Sequence, residues 1–340
     1  MAGVLEPTAT YPWGLFKMDL CVHPNMRSRA IAMVFIFFVA LIPPVDAAEA
    51  EHLETVGAVF GGVHVMANSS GNASSILSAL PTIVEDYTAT WCENCVDVEH
   101  AMNDIEDDVS IEQYHFHRFI GESEDPFGTQ VGDDRWAARY TDRIPPTAIF
   151  NGTIRQIGSV PHGESLEADF IENAEVALEL GEGSSTLVWG NGSVSWNLII
   201  DSSVLPENAS ISTSIWVVEQ TASFADGGNG QGEYPHIVRD IISLGDELSG
   251  TATITIPDAH DGDDLEIHLI HEIILPITAE EMQTCQGCCG ETYEVSSSSP
   301  CATPSCAKCQ EDEFSLPSIG IVAVISVMML AAIALQRKQK

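Results

Sequence analysis

Residues 82 to 90, Thr82-Ile83-Val84-Glu85-Asp86-Tyr87-Thr88-Ala89-Thr90, form a run of β-branched and aromatic residues that predicts a short buried strand. Behind the next few residues, Val98, Ala101, Met102 and Ile105 recur at helical spacing, while the pattern turns Glu99, Asp104, Glu106 and Asp107 away from that face. Farther on, Ile111 to Ile120 alternates like a strand, Asp134 to Asp142 reads as a helix, Ile154 to Val160 as a strand and Leu166 to Leu180 as an amphipathic closing helix. That order of elements suits an α/β sheet. Gly181-Glu182-Gly183-Ser184-Ser185 has the composition of a linker, and the pattern changes after it. Thr186 to Trp189, Ser193 to Ile200, Ala209 to Glu219, Ser249 to Ile256 and Leu265 to His271 are alternating or β-branched runs between turn residues, as in a β-sandwich.

Both ends of the chain carry apolar runs. Met26-Arg27-Ser28-Arg29 followed by Ala30 to Leu41 has the layout of a secretory signal, and Ala48-Glu49-Ala50 or Val45-Asp46-Ala47 would serve as its cleavage site. Translation starting at Met26 is compatible with this layout, and no cysteine follows the run to take a lipid. Ile319 to Leu335 is apolar apart from Gly320 and Ser326, and Gln336-Arg337-Lys338-Gln339-Lys340 follows. This predicts a short membrane span with its basic tail in the cytoplasm and everything before it outside. The expected layout is then an extension and signal over 1–50, an α/β domain over 55–181, a β-sandwich over 186–277, a cysteine-rich stalk over 278–316, a transmembrane helix over 317–336 and a cytoplasmic tail over 337–340.

The candidate chemistry sits at Trp91-Cys92-Glu93-Asn94-Cys95, where the predicted strand runs into the predicted helix. Two thiols at this spacing can close a small disulfide and reopen it. A helix N-terminus favours the thiolate, which is the reactive form, and Cys95 would lie one turn below Cys92, in place to resolve a mixed disulfide. A structural disulfide or half of a zinc site are the competing readings of the pair.

The run Asp86-Tyr87-Thr88-Ala89-Thr90-Trp91-Cys92 resembles the strand-to-active-site segment of the thioredoxin superfamily, and Ile144-Pro145-Pro146-Thr147-Ala148-Ile149-Phe150-Asn151-Gly152 is similar to its cis-proline segment. The resemblance implies an α/β thioredoxin-like domain, with Cys92 as the exchanging sulfur and Cys95 as the resolving one. It makes Asp86 the buried acid that relays a proton, Trp91 part of the active-site run, and Pro146 the cis residue that shapes the substrate groove. Pro145 departs from the family pattern, because it has no N–H to offer a substrate peptide. Trp216-Val217-Val218-Glu219 and Tyr234-Pro235-His236-Ile237-Val238-Arg239 extend the resemblance, more loosely, to the second domain of outer-membrane thioredoxin-fold lipoproteins. His236 and Arg239 could there form a binding pair or a structural polar contact.

Charge narrows the partners. The net charge is -37, and Arg118, Arg135, Arg139, Arg143, Arg155, Arg239 and Lys308 are the only basic residues between 51 and 316. Nothing here neutralises phosphates, so nucleic acid is excluded as a partner. Such a surface suits high ionic strength, where its self-repulsion is screened. Asn-x-Ser/Thr sequons at Asn68, Asn72, Asn151, Asn191 and Asn208 fit an exported, glycosylated surface. Asp258 to Asp264 could form a calcium loop or an Asp/Gly turn, and His115 and His117 share one strand face, as metal ligands or as packed side chains. In the stalk, Cys285, Cys288, Cys289, Cys301, Cys306 and Cys309 suit three extracellular disulfides, whereas Cys285, Cys288, Cys306 and Cys309 also have the spacing of a four-thiolate zinc site.

Together these features predict a membrane-anchored, extracytoplasmic thiol–disulfide oxidoreductase. It would need no cofactor beyond its redox-active disulfide, would act on exported proteins with thiols or disulfides, and would exchange electrons with a separate membrane donor or acceptor. Glu93, Asp97 and Glu99 oppose a thiolate and favour a reductase or isomerase over a strong oxidant. The alternatives are a non-enzymatic surface scaffold and a soft-metal carrier.

Overall fold

A computed structural model describes residues 50–276. The expected signal segment, the stalk with Cys285, Cys288, Cys306 and Cys309, and the apolar run 319–335 lie outside the described residues. Among the described residues no helix is long and apolar enough to cross a membrane.

Thirteen strands and three α-helices alternate in the described residues. The first half holds β1 (Glu51–His52), β2 (Val59–Met66), β3 (Gly71–Ile76), β4 (Thr82–Thr88), α1 (Glu93–Ile105), β5 (Ile111–His117), α2 (Gln130–Tyr140), β6 (Thr147–Phe150), β7 (Ile154–Ile157) and α3 (Leu166–Ala174). The second half adds β8 (Ser184–Gly190), β9 (Ser193–Ile199), β10 (Ser210–Ser223), β11 (Glu233–Gly245), β12 (Ser249–Thr253) and β13 (Leu265–Ile274). A nine-stranded mixed sheet has the order β1-β7-β6-β4-β5-β11-β10-β13-β2, and a four-stranded antiparallel sheet the order β12-β9-β8-β3.

This corrects the expected architecture of an α/β thioredoxin-like domain followed by a separate all-β sandwich. The described chain is mostly β-sheet, and its two halves share both sheets. β11 adds in parallel to β5 through Ile237 and His115, so the sheet does not stop where the first half ends. In turn β2 and β3, from the first half, pair with β13 and β8 from the second. An open strand edge accepts any strand that reaches it, and the local pattern on which the expectation rested carries no record of such pairings.

The nine-stranded sheet is covered on both faces. Tyr87, Tyr114, Phe116, Trp216 and Val238 pack on one face with Trp136 and Tyr140 of α2. On the other, Val84, Ala148 and Phe150 meet Val98 and Met102 of α1 and Phe170 of α3, while Ile215, Val217, Ile267 and Leu269 meet Leu187, Trp189, Val194 and Trp196 of the small sheet. Strand alternation therefore sends Glu85 and Tyr87 toward α2, and Asp86 and Thr88 toward α1.

The helices start where caps allow. The Thr129 hydroxyl accepts the Gly132 N–H at α2 and the Ser165 hydroxyl accepts the Ala168 N–H at α3. α2 begins four residues before the sequence pattern suggested, and α3 ends at Ala174, six short of it.

Within the α2 face lies a buried ionic network. Arg135 Nη1 and Nη2 reach Glu85 and Glu272, and Arg139 Nη1 donates to Glu272 at 2.8 Å. Tyr140 donates to Glu85 at 2.6 Å, and Arg135 lies 4.5 Å above the Trp216 ring. The carboxylates respond differently. Burial outweighs the two guanidinium groups at Glu85 and raises it, whereas at Glu272 burial is overcome by Arg135 and Arg139, which hold it below its ordinary value. Arg135→Ala strips Glu85 of its paired guanidinium and leaves Glu272 with Arg139 alone, and is expected to destabilise the protein by about 3–5 kcal/mol. Urea unfolding at neutral pH measures this, and a change near that of an exposed arginine would show the network to be energetically idle.

Candidate functional site

Cys92 and Cys95 form a disulfide with Cα atoms 5.3 Å apart. β4 ends at Thr88, and the chain turns through Ala89 to Trp91 to begin α1 at Glu93, with Cys92 as the N-cap. Its Sγ accepts the Cys95 N–H at 3.2 Å, so this sulfur faces an otherwise unpaired helix donor. Cys92 is 6% exposed and Cys95 fully buried. The pair therefore has an outer and an inner sulfur. Glu93, between them, points to solvent.

One helical turn along α1 from the inner cysteine is a buried carboxylate pair. Asp86 is fully buried on β4, and neither of its oxygens has a hydrogen-bond partner. Glu99 stands one helical turn after Cys95 on the same buried face of α1, against the expectation that it points away. Its Oε1 accepts the Thr88 hydroxyl at 2.8 Å and its Oε2 the Gln231 amide at 3.1 Å. Polar atoms of Asp86, Glu99 and His115 lie within 4.8 Å of one another. Burial, then the charge of Glu99, raises Asp86 well above the usual carboxylate range; burial also raises Glu99, against its hydrogen bonds and His117. His115 offers no compensating charge, because burial and the neighbouring His236 and His117 hold it well below its usual value. The arrangement can hold and release a proton one helical turn from Cys95.

Two segments fix the outer part. Trp91 Nε1 donates to Glu122, and Thr90 N–H donates to Asp125 Oδ2 at 2.7 Å. The same Asp125 oxygen meets His117 Nδ1 at 2.8 Å, a contact that, with the other hydrogen bonds, outweighs burial and lowers Asp125. From the second half of the chain, the β10–β11 loop lies across Thr90 and Trp91. Asn229 N–H donates to the Thr90 carbonyl at 3.0 Å, and a Cβ on Gly228 would touch the Trp91 Cα and Cβ at 3.3 Å. A Cβ on Gly227 would fall 1.9 Å from the Tyr234 hydroxyl, so glycine is what lets the loop close down here. An open cleft of about 460 Å³ between Glu99, His100 and Asn103 on α1 and Gln231, Glu233 and Pro235 leads to Gln231 and Glu99.

The Pro145–Pro146 bond is cis, and Pro146 directly precedes Thr147, which pairs with Tyr87 on β4. Arg239 reaches Glu219 at 3.4 Å, while His236 packs against His115, so the two do not act as a pair. In 258–264, the N–H groups of His260 and Asp261 both donate to Glu219, and Asp261 and Asp264 accept the N–H groups of Ser223 and Thr221. That turn is occupied with backbone. The inward turn of Glu99 and the Gln231 loop escaped the sequence reading; the four-residue step from Cys95 to Glu99 was the available sign of the first, and nothing local marks the second.

No protein-family model and no curated protein matches the chain. Among solved structures, the crystal structure of an Agrobacterium tumefaciens protein is similar at 15% identity and a TM-score of 0.35, over 50% of this chain and 76% of that one, too weak a likeness to carry an argument. The resemblance to the thioredoxin superfamily, and with it to the outer-membrane lipoproteins, is accordingly corrected. It rested on two short runs, and the two-sheet, mostly β architecture in which they sit overturns it.

The Asp86–Glu99 pair makes stability depend on pH. A carboxyl whose folded pKa is raised stabilises the native state fully below its unfolded value, about 3.9 for Asp, and loses that contribution as pH rises through the folded value. Asp86→Asn removes one of the two groups. Its unfolding free energy is expected to fall less steeply than that of the parent from about pH 4 upward, leaving the variant more stable at pH 8. Parallel profiles in urea unfolding at matched high salt would show that Asp86 bears no such cost.

Proposed function

We propose that the protein is a membrane-anchored, extracytoplasmic thiol–disulfide oxidoreductase that reduces or isomerises disulfides of exported proteins. The observation that carries this reading is the Cys92–Cys95 disulfide capping α1, with Cys92 the more exposed and Cys95 one helical turn before the buried Glu99, which stands beside Asp86.

In the reducing direction, the Cys92 thiolate attacks one sulfur of a substrate disulfide and releases the other as a thiolate. Cys95, losing its proton toward Asp86 and Glu99, then attacks Cys92 Sγ, breaks the mixed disulfide and frees the second substrate thiol. Two electrons pass to the substrate and the pair is left oxidised. A separate membrane dithiol donor must return them. Glu93 at the surface and the acids below disfavour a stable thiolate, which makes the pair a reductant. The extracytoplasmic setting rests on the apolar runs at both ends of the sequence.

In the full-length protein equilibrated with defined ratios of reduced and oxidised dithiothreitol, the Cys92–Cys95 pair is expected to titrate reversibly toward the reducing end of the thiol scale. Cys92→Ser should lower disulfide exchange to the uncatalysed rate with folding intact, and Cys95→Ser should accumulate mixed disulfides through Cys92. A pair that never exchanges, or a Cys92→Ser chain that fails to fold, would make the bridge structural and end the enzymatic reading.

A further inference from the structure

A second cluster lies far from the disulfide. Glu112 stands near the start of β5 and His117, beside the disulfide segment, ends it, a separation of roughly 17 Å along the strand. Glu112 also shares the α2-side face with Tyr114 and Phe116, opposite to Asp86. Facing it are His64 on β2 and Glu266 and His268 on β13. β2 is the outermost strand and β5 is four positions away in the sheet, so the sheet curls to bring them together. A bulge aids this. Gly62, at φ +85°, is the extra residue where pairing with β13 shifts between Leu269 and Ile270, and its carbonyl bonds His64 Nδ1 at 3.0 Å.

We propose that His64, Glu112 and His268 bind a divalent transition-metal ion of the zinc, cobalt or nickel class, with Glu266 as the outer carboxylate that orients the two imidazoles. One donor atom from each of the three ligands lies within 4.8 Å of the others. Glu112 oxygens are 3.7 Å from His64 Nδ1 and 3.6 Å from His268 Nδ1, separations that small rotations bring to the roughly 3.4 Å edge of a tetrahedral site with bonds near 2.1 Å. On the far edge of the rings, Glu266 Oε2 stands 3.3 Å from His268 Nε2 and 3.9 Å from His64 Nε2, the carboxylate–histidine arrangement that fixes a ligating imidazole. Gln220 holds Glu266 in turn at 2.7 Å.

A plain ion-pair network accounts for this cluster poorly. His268 is fully buried, its Nε2 makes no well-aligned hydrogen bond although Glu266 Oε2 stands 3.3 Å away, and its Nδ1 shares a hydrogen bond with the Tyr114 hydroxyl at 3.0 Å. The two rings stack at 4.6 Å between Glu112 and Glu266. A cation on the Glu112 side takes the place of the Gly62 carbonyl at His64 Nδ1 and of the Tyr114 hydroxyl at His268 Nδ1, and leaves both Nε2–H groups to Glu266. Two imidazoles and a carboxylate suit a borderline ion over calcium or magnesium. His64, 40% exposed, opens the site to solvent.

The test uses the full-length chain with its disulfides oxidised, stripped by chelator and titrated with Co²⁺. Expected is about one ion per chain with weak visible bands of nitrogen and oxygen ligation and no thiolate charge-transfer band. His64→Ala and Glu112→Gln should abolish those bands, and Glu266→Gln should weaken binding about 10–100-fold, while unfolding midpoints show that the variants are folded. Binding unchanged in His64→Ala and Glu112→Gln, or cobalt bound with thiolate bands alone, would overturn the proposal. Because the site shares no residue with the disulfide, either result leaves the redox reading to its own test.

Discussion

Arg135 holds a full charge where water is excluded, and the carboxylates that make this tolerable come from opposite halves of the chain. Glu85 belongs to β4 and Glu272 to β13, and α2 carries Arg135 and Arg139 between them. Arg139 adds the Gly57 carbonyl just before β2, and Trp216 of β10 lies against the Arg135 guanidinium. A buried charge stripped of one partner is far more costly than an exposed one, so β4, β10 and β13 cannot separate without stranding a cation or an anion. The network ties β4 to β13 across the α2 face of the large sheet. It also holds β4 so that its other face, with Asp86 and Thr88, meets α1.

The disulfide region depends on the same closure. Its inner sulfur belongs to α1, its proton-holding carboxyls to β4 and α1, and its covering loop to the β10–β11 connection. Gln231 touches Glu99 and Asn229 touches the Thr90 carbonyl only because β11 pairs with β5. A thiol pair on an isolated strand and helix would have neither its cover nor the cleft that reaches Glu99. The loop lies across Thr90 and Trp91, next to Cys92, so the surroundings of the disulfide are set in part by a segment more than a hundred residues away in sequence.

Charge is organised by scarcity. With a net charge of -37, the chain surrounds itself with acids that salt must screen, while Arg135, Arg139, Arg155 and Arg239 are each committed to an ion pair. Inside, histidines stand where arginines are lacking. His117 meets Asp125, His115 lies beside Asp86 and Glu99, and His64 and His268 lie among Glu112 and Glu266. Imidazole is neutral when desolvated and can still pair, accept or ligate, which an obligate cation cannot.

By itself the amino-acid sequence determined the local elements and the chemistry they carry. The strand at 82–88, the helix behind Cys92, and the strands near 111, 154, 193, 210 and 265 were all legible, because periodicity and neighbouring residue types act over a few positions. Only the tertiary structure decided which strands became neighbours. The weakly patterned, glycine-containing β2 and β3 join the later strands, β5 accepts β11, and the expected pair of independent domains becomes two shared sheets. Glu99 turned inward for the same reason, since an acid on a helix is read as exposed until Thr88 and Gln231 are brought to it. Pairing of strand edges and satisfaction of buried charge are contacts between distant residues, and no local pattern encodes the partner.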